Sequence, residues 1–230
     1  MDNIITIYHG SNRVVEEPTF GFGKRNNDFG LGFYCTSSND LAKEWAVSSL
    51  SDGFSNRYTL DTEYLNILNL NSSDYTILNW IAVLVDHRKF NISTPVARRA
   101  KQYLIDNFGI NVNAYDLITG YRADDSYFDF AEAFLNNSIT VEQLARAMRL
   151  GKLGEQIVLK SQFAFSRIKF EGFELAQRDK YYSLRQSRND EANQAYLNIQ
   201  EDEDDGLFIQ DILRGGITND DPRIPRNVPS

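Results

Sequence analysis

Cysteine occurs once in the 230 residues, at Cys35, and histidine only twice, at His9 and His87. A single thiol excludes an intramolecular disulfide, and it excludes a zinc site resting on several cysteines. Long apolar runs are missing as well. The longest, Trp80 to Val85, falls far short of the roughly 20 residues needed to span a bilayer. The opening segment MDNIITIYHGS has no basic start, long apolar stretch or small-residue cleavage site of a secretory signal. These absences lead to the expectation of a soluble, cytoplasmic protein with no membrane partner and no metal. Basic residues are the minority: 24 Lys and Arg against 32 Asp and Glu give a formal net charge of -8. That balance argues against a general cationic surface for nucleic acid, but it leaves room for a local basic groove.

What is present suffices for one well-filled core, since 42% of positions are hydrophobic and 24% charged. Composition changes near residue 180. Residues 1–180 carry a net charge of -3 and residues 181–230 a net of -5, so more than half the excess lies in the last 50 positions. We expect a main domain over 1–180 and a helical, acidic tail over 181–230. Within the tail, the run Glu201 to Asp205 (EDEDD) and the Pro, Asn and Asp rich end from Asp220 suggest loop or disorder. Tyr181, Leu184, Tyr196 and Ile199 keep helical intervals, and Leu207 to Leu213 predicts a short helix before Gly215 and Gly216.

The first 180 residues mix strand and helix signals. Ile4 to Tyr8 is β-branched and aromatic and predicts a strand that runs out into His9, Gly10 and Ser11. Phe20 to Gly32 holds several glycines with Asn26, Asn27 and Asp28, which reads as an irregular loop entering a short strand, Phe33 to Thr36. Ser38, Asn39 or Asp40 can cap a helix from Leu41 to Val47, and Asp74 to His87 and Ala97 to Phe108 have helical apolar spacing. Together these predict an inserted helical layer. Thr140 with Gln143 forms a capping box ahead of the stripe Val141, Leu144, Ala145 and Met148, with Gly151 at the helix end. Gln156 to Leu159 and Gln162 to Phe170 read as strands, the second with a phase shift that a bulge would absorb. Strands first, helices in the middle and strands last make an α+β pattern.

Three separated segments carry the chemistry: Tyr8-His9-Gly10-Ser11, then Phe29-Gly30-Leu31-Gly32-Phe33-Tyr34-Cys35-Thr36, then Gly154-Glu155-Gln156-Ile157-Val158-Leu159. Alone, each has an ordinary reading: a strand-end histidine bonded to a carbonyl, a loop entering a sheet, a solvated glutamate. Their order and spacing resemble the His-Tyr-Glu branch of the ADP-ribosyltransferases, which includes diphtheria toxin and the poly-ADP-ribose polymerases. More particularly, the chain resembles an uncharacterised bacterial family of that superfamily, over residues 1 to about 170.

The resemblance implies a split β-sheet core and a reaction that cleaves the nicotinamide–ribose bond of NAD, which serves as substrate, and moves ADP-ribose to a macromolecular acceptor, protein or nucleic acid. It places His9 on the adenosine ribose, with Gly10 offering backbone groups to the nicotinamide carboxamide, Ser11 among the NAD-binding residues, Tyr34 against the nicotinamide ring and Glu155 on the nicotinamide-side ribose. Lys24 and Arg25, in the loop before Tyr34, can meet the pyrophosphate. The resemblance also associates the chain with bacterial toxin-antitoxin or defence systems, and so with a cognate antitoxin protein. The arginine-directed branch fits poorly, because Leu153 stands where it has a second acidic or amide residue. An NAD glycohydrolase, or a non-enzymatic NAD or nucleotide-binding module, would use the same pocket.

Tyr115 to Phe130 is a second polar and aromatic concentration. Tyr121, Arg122, Asp124, Asp125 and Tyr127 are candidates for acceptor or NAD contacts, and equally for a helix-capping loop with a solvated Asp pair. Arg122 can pair with a phosphate or with one of these aspartates. Cys35 reads as a buried small residue rather than a nucleophile, and His87 as a surface residue after a helix. No Gly-x-Gly-x-x-Gly opens a helix, which disfavours a dinucleotide-binding dehydrogenase.

Overall fold

The computed structural model describes residues 3–90, 92, 94–122, 125–149, 154–201 and 205–227, with the backbone alone at 125–127. Its architecture is α+β, with two small sheets. The first is antiparallel throughout and takes the order β1 (Ile4–Ser11), β3 (Gly53–Asp61), β7 (Ile168–Ala176). The second runs β2 (Phe33–Cys35), β6 (Glu155–Leu159), β5 (Leu117–Tyr121), β4 (Ile67–Asn69), antiparallel except for the β4–β5 pair. One antiparallel bridge, Tyr8 with Thr36, joins them.

Alternation along these strands decides what lies between the sheets. Ile7 of β1, Tyr58 and Leu60 of β3, Leu117 of β5, and Ile157 and Leu159 of β6 turn inward and form one apolar cluster. Cys35 belongs to it at 0% exposure, so the buried reading of this cysteine holds, and burial pushes its thiol pKa up.

The opposite face of the second sheet carries the helical layer. In α2 (Ile77–His87) every residue from Ile77 to Val85 is buried, because this helix has neighbours on all sides. Around it stand α3 (Pro95–Phe108), α4 (Asp125–Leu135) and α5 (Val141–Ala147), with Phe108, Phe130, Phe134 and Leu144 in the shared cluster. The Thr140–Gln143 capping box is present in full. Gly151, the expected end of that helix, lies outside the described residues, as does Leu153.

After β2, α1 (Asn39–Ala46) starts at Ser38, whose hydroxyl accepts from the Leu41 amide. The segment from Gln162 differs from the expected bulged strand. Ser161 caps a short helix, α6 (Gln162–Ser166), by accepting from the Ala164 amide, and β7 begins only at Ile168. The apparent phase shift was a change of element. β7 does carry a bulge further on, where β3 changes register between Arg57 and Tyr58.

The C-terminal residues pack on the same core. Helix α7 (Arg178–Glu201) is longer than its apolar spacing suggested, and α8 (Ile209–Gly215) stands where the sequence predicts it. Tyr196, Ile199, Ile209, Ile212, Ile217 and Ile224 all belong to the helical cluster that contains Trp80. Residues 220–227 are irregular but not detached, since Ile224 and Asn227 are buried.

A charge pair ties α7 to α1. The Glu44 carboxylate, with a side chain 3% exposed, accepts from Arg188 Nη2 at 2.8 Å and Nε at 3.1 Å. Arg188→Ala would leave that carboxylate buried without this partner, and should lower stability by about 2–3 kcal/mol in urea unfolding, less than the loss from a fully buried pair because Arg188 still meets water. Arg188→Met combined with Glu44→Gln should recover most of the loss.

Candidate functional site

The end of β1, the C-terminal half of α1 and β2 come together beside the bridge between the sheets, and a cleft of about 960 Å³ opens there. His9, Gly10 and Ser11 form part of its wall, with Phe33 and Tyr34 of β2, Trp45 of α1 and Gln156 of β6. Arg13, Lys24, Arg88 and Arg122 also line it, against Glu17 and Asp28. The cleft is therefore more basic than the chain, whose net charge is -8.

His9 is held on two sides. Its Nδ1 lies 2.7 Å from the Tyr34 carbonyl and its ring stacks at a tilt on Phe33, with centroids 4.4 Å apart. A carbonyl only accepts, so Nδ1 carries the proton. Burial lowers the His9 pKa, outweighing the carbonyl bond that raises it. The ring is thus a neutral imidazole with Nε2 as an acceptor, suited to a ligand hydroxyl.

Gly10 comes next because nothing larger fits. A Cβ there would lie 2.0 Å from the Ala42 carbonyl oxygen of α1. Asn56 of β3, 0% exposed, fastens the chain on both sides of Gly10: its Nδ2 donates to the His9 carbonyl at 3.1 Å and to Ser11 Oγ at 3.2 Å, while its Oδ1 accepts from the Val15 amide at 2.9 Å.

Tyr34 is fixed through its hydroxyl, which donates to the Gly30 carbonyl at 2.6 Å and accepts from the Phe29 amide at 3.0 Å. Burial raises its pKa, so it stays a phenol. The loop that clasps it is fastened in turn by Lys160, whose Nζ donates to the Phe29 and Leu31 carbonyls at 2.6 and 2.8 Å. Desolvation lowers the Lys160 pKa to about 8. Gly30 adopts φ +73°, and a Cβ there would meet the His87 ring at 2.5 Å. His87 is accordingly half-buried behind the loop, with Nδ1 2.9 Å from the Val83 carbonyl, and not the surface residue its position after a helix suggested.

Glu155 opens β6 opposite Tyr121 and is partly exposed. Glu155 shares strand parity with Ile157 and Leu159, as His9 does with Ile7. Glu155 Oε1 accepts from Asn71 Nδ2 at 2.6 Å. The neighbouring Gln156 turns the other way, donating to Asp28 Oδ2 at 2.6 Å and the Tyr121 carbonyl at 3.2 Å, and Arg88 stands 3.5 Å from Asp28.

The structure therefore gathers His9, Gly10, Ser11, Tyr34 and Arg122 around the cleft. Glu155 and Tyr121 are not in its wall but adjoin Gln156 and Arg122, which are. Arg25 is exposed and outside the wall, whereas its neighbour Lys24 lines it. The Arg122 guanidinium lies 4.4 Å from the Trp45 ring centroid. Asp124 lies outside the described residues, and Asp125 begins α4. Sequence reasoning missed Trp45, Asn56, Asn71, Arg13 and Lys160. Trp45 and Lys160 had a usable signal, since each lies close in sequence to a motif already singled out. Asn56 and Asn71 had none.

Residues 5–170 match the model of a family described as a protein of unknown function, DUF3990. The chain belongs to that family. No curated protein and no solved structure matches it. The family match takes in β1, β2, β6 and their loops, hence the whole cleft wall, and ends inside β7. Among the described residues of this family member, no group of three or more His, Cys, Asp or Glu side chains could hold a metal ion, and no helix is long and apolar enough to cross a membrane.

Neutral burial of His9 has a pH signature. Its folded pKa lies below the unfolded value near 6.5, so its contribution to stability is complete above about pH 6.5 and is lost as pH falls toward the folded pKa. The stability gap between the wild type and His9→Asn should be constant above pH 7 and shrink by pH 5.5 in urea unfolding. Gly10→Ala should displace α1 or prevent folding, seen as loss of the cooperative transition.

Proposed function

We propose that this chain is a mono-ADP-ribosyltransferase of the His-Tyr-Glu type, with an ADP-ribosyltransferase-like split-sheet core, that cleaves NAD and transfers ADP-ribose to a macromolecular acceptor. A cytoplasmic location goes with this reading. The observation that supports it best is the convergence of three distant segments on one cleft: neutral His9 and Gly10 from β1, Tyr34 from β2 and Gln156 near the head of β6, next to Glu155.

The chemistry rests on those groups. His9 Nε2 accepts from a hydroxyl of the adenosine ribose. Arg13, Lys24 and Arg122 surround the path of the pyrophosphate. Nicotinamide in NAD is cationic, and the Tyr34 and Trp45 rings offer faces to such a group, worth about 0.5–2 kcal/mol each. For Trp45 this requires that Arg122 give up the ring face it covers.

As the C1′–N bond breaks, its electron pair leaves on nicotinamide and the ribose becomes oxocarbenium-like. A carboxylate beside that ribose stabilises the developing charge, which is the role of Glu155. The acceptor then adds to C1′ from the opposite face, and its proton passes to Glu155 or to solvent. Mono transfer is preferred over poly because the sequence contains no recognisable further acceptor apparatus.

NAD labelled on its adenylate portion, given to the purified protein with and without cell lysate, tests the proposal. Label entering macromolecules only with lysate is the expected result. Free ADP-ribose in buffer alone would make the chain a glycohydrolase, and NAD binding with no turnover would make it a binding module. Glu155→Gln should slow nicotinamide release about 10²- to 10³-fold while NAD affinity stays within about threefold. Turnover at the wild-type rate in that variant would overturn the assignment of Glu155.

A further inference from the structure

We infer that Asn71 is the positioning residue of Glu155, and that the C-terminal segment holds Asn71 in place through Asn227. A glutamate at a strand head has three free side-chain torsions and water on one side, so without a partner its carboxylate samples many directions. Here one oxygen receives the Asn71 amide at 2.6 Å, a charge-assisted bond that leaves the other oxygen to face a substrate.

Asn71 itself has little freedom. It is 6% exposed, and its backbone amide donates to Asn69 Oδ1 at 3.0 Å. Its side-chain Oδ1 is buried without a hydrogen-bond partner among the described residues, an arrangement that costs free energy. Rotating the amide by half a turn would set that oxygen against the carboxylate, so the bond to Glu155 fixes the orientation.

The segment that carries Asn71 is gripped from two directions. Toward β5, the Leu70 amide donates to the Thr119 carbonyl at 2.9 Å. From the far end of the chain, Asn227 Nδ2 donates to the Leu70 carbonyl at 2.7 Å and the Asn227 amide to the Tyr75 carbonyl at 2.9 Å, beside an antiparallel bridge between Thr76 and Arg226. Asn227 is 7% exposed. The family match ends at residue 170, so this grip comes from outside the matched region.

Only the kinetic part of the test rests on the proposed transferase activity. In urea unfolding of the full chain, Asn71→Asp sets carboxylate against carboxylate and should be destabilising. Combined with Glu155→Gln it should be well tolerated, because the new amide can donate to the new carboxylate. Additive effects in this cycle would overturn the Asn71–Glu155 pairing whether or not the protein is an enzyme.

In nicotinamide release, Asn71→Ala should lower kcat about tenfold with KM for NAD within about twofold. A change confined to KM would overturn the positioning role. Asn227→Ala should speed amide exchange at Leu70 and Asn71 and lower kcat about threefold in the same direction. Unchanged exchange and kcat would overturn the C-terminal link. A wild type that releases no nicotinamide would sink the transferase reading and leave the unfolding cycle and the exchange measurement to decide the inference.

Discussion

Two hydrogen bonds, Tyr8 amide to Thr36 carbonyl at 2.8 Å and Thr36 amide to Tyr8 carbonyl at 2.9 Å, are where the two sheets meet in backbone pairing. Before Tyr8, β1 belongs wholly to its own sheet. At Tyr8 it crosses β2, and His9 emerges beside Tyr34 and Phe33. The cleft opens at this crossing, and its wall takes His9, Gly10 and Ser11 from β1 and Phe33 and Tyr34 from β2. The close fit of Gly10 under the Ala42 carbonyl keeps α1 against the same point, which brings Trp45 to the cleft. A shift of one residue in either strand would turn His9 or Tyr34 to the other face and remove the pairing of imidazole and carbonyl that fixes the tautomer.

Polar groups around the crossing are arranged in layers of decreasing access to water. Arg13, Lys24 and Trp45 border the cleft itself. Behind them, the phenol of Tyr34 is held by backbone groups of the glycine-containing loop, and that loop is held by Lys160 and by the Asp28, Gln156 and Arg88 contacts. Each neutral bond contributes only about 1 kcal/mol net, and those to charged groups somewhat more. Their joint effect is geometric: a loop of small residues that would otherwise be mobile presents a fixed aromatic face. The apolar clusters on both sides of the second sheet supply the stability against which these polar restraints act.

How much of this was legible in the sequence depended on whether the signal was local. Ser38, Thr140 with Gln143, and the β-branched run Ile4 to Tyr8 are local chemistry, and the corresponding caps and strand are present. The three motifs His9-Gly10, Tyr34 and Glu155 were legible only as an ordered set. Strand β3 was not legible, because its sequence FSNRYTL has turn-forming residues whose roles, such as Asn56 holding the His9 segment, appear only when β1 is paired beside it. The α6–β7 boundary was misread since Phe163, Phe165 and Phe170 fit strand alternation with one slip, and one serine cap outweighs that pattern. Asn71 carried no signal at all, as its partner Glu155 and the Asn227 that holds the preceding Leu70 carbonyl are remote in sequence.

The net charge of -5 over residues 181–230 suggested a solvated tail, and the packing gives that charge a narrower meaning. Ile199 and Ile209 flank the acidic run Glu201 to Asp205, and both are buried in the cluster that holds Trp80. Glu201 and Asp205, the two ends of that run, are exposed. Exposure leaves the charges of Glu201 and Asp205 in water, since burying them would cost most. The chain then continues through Ile217 and Ile224 to Asn227, whose side chain reaches the Leu70 carbonyl. The acidic run thus connects two core-bound helices in the chain, and the residues beyond it grip the segment that holds Glu155. An acidic composition therefore does not mark where the chain stops contributing to the site.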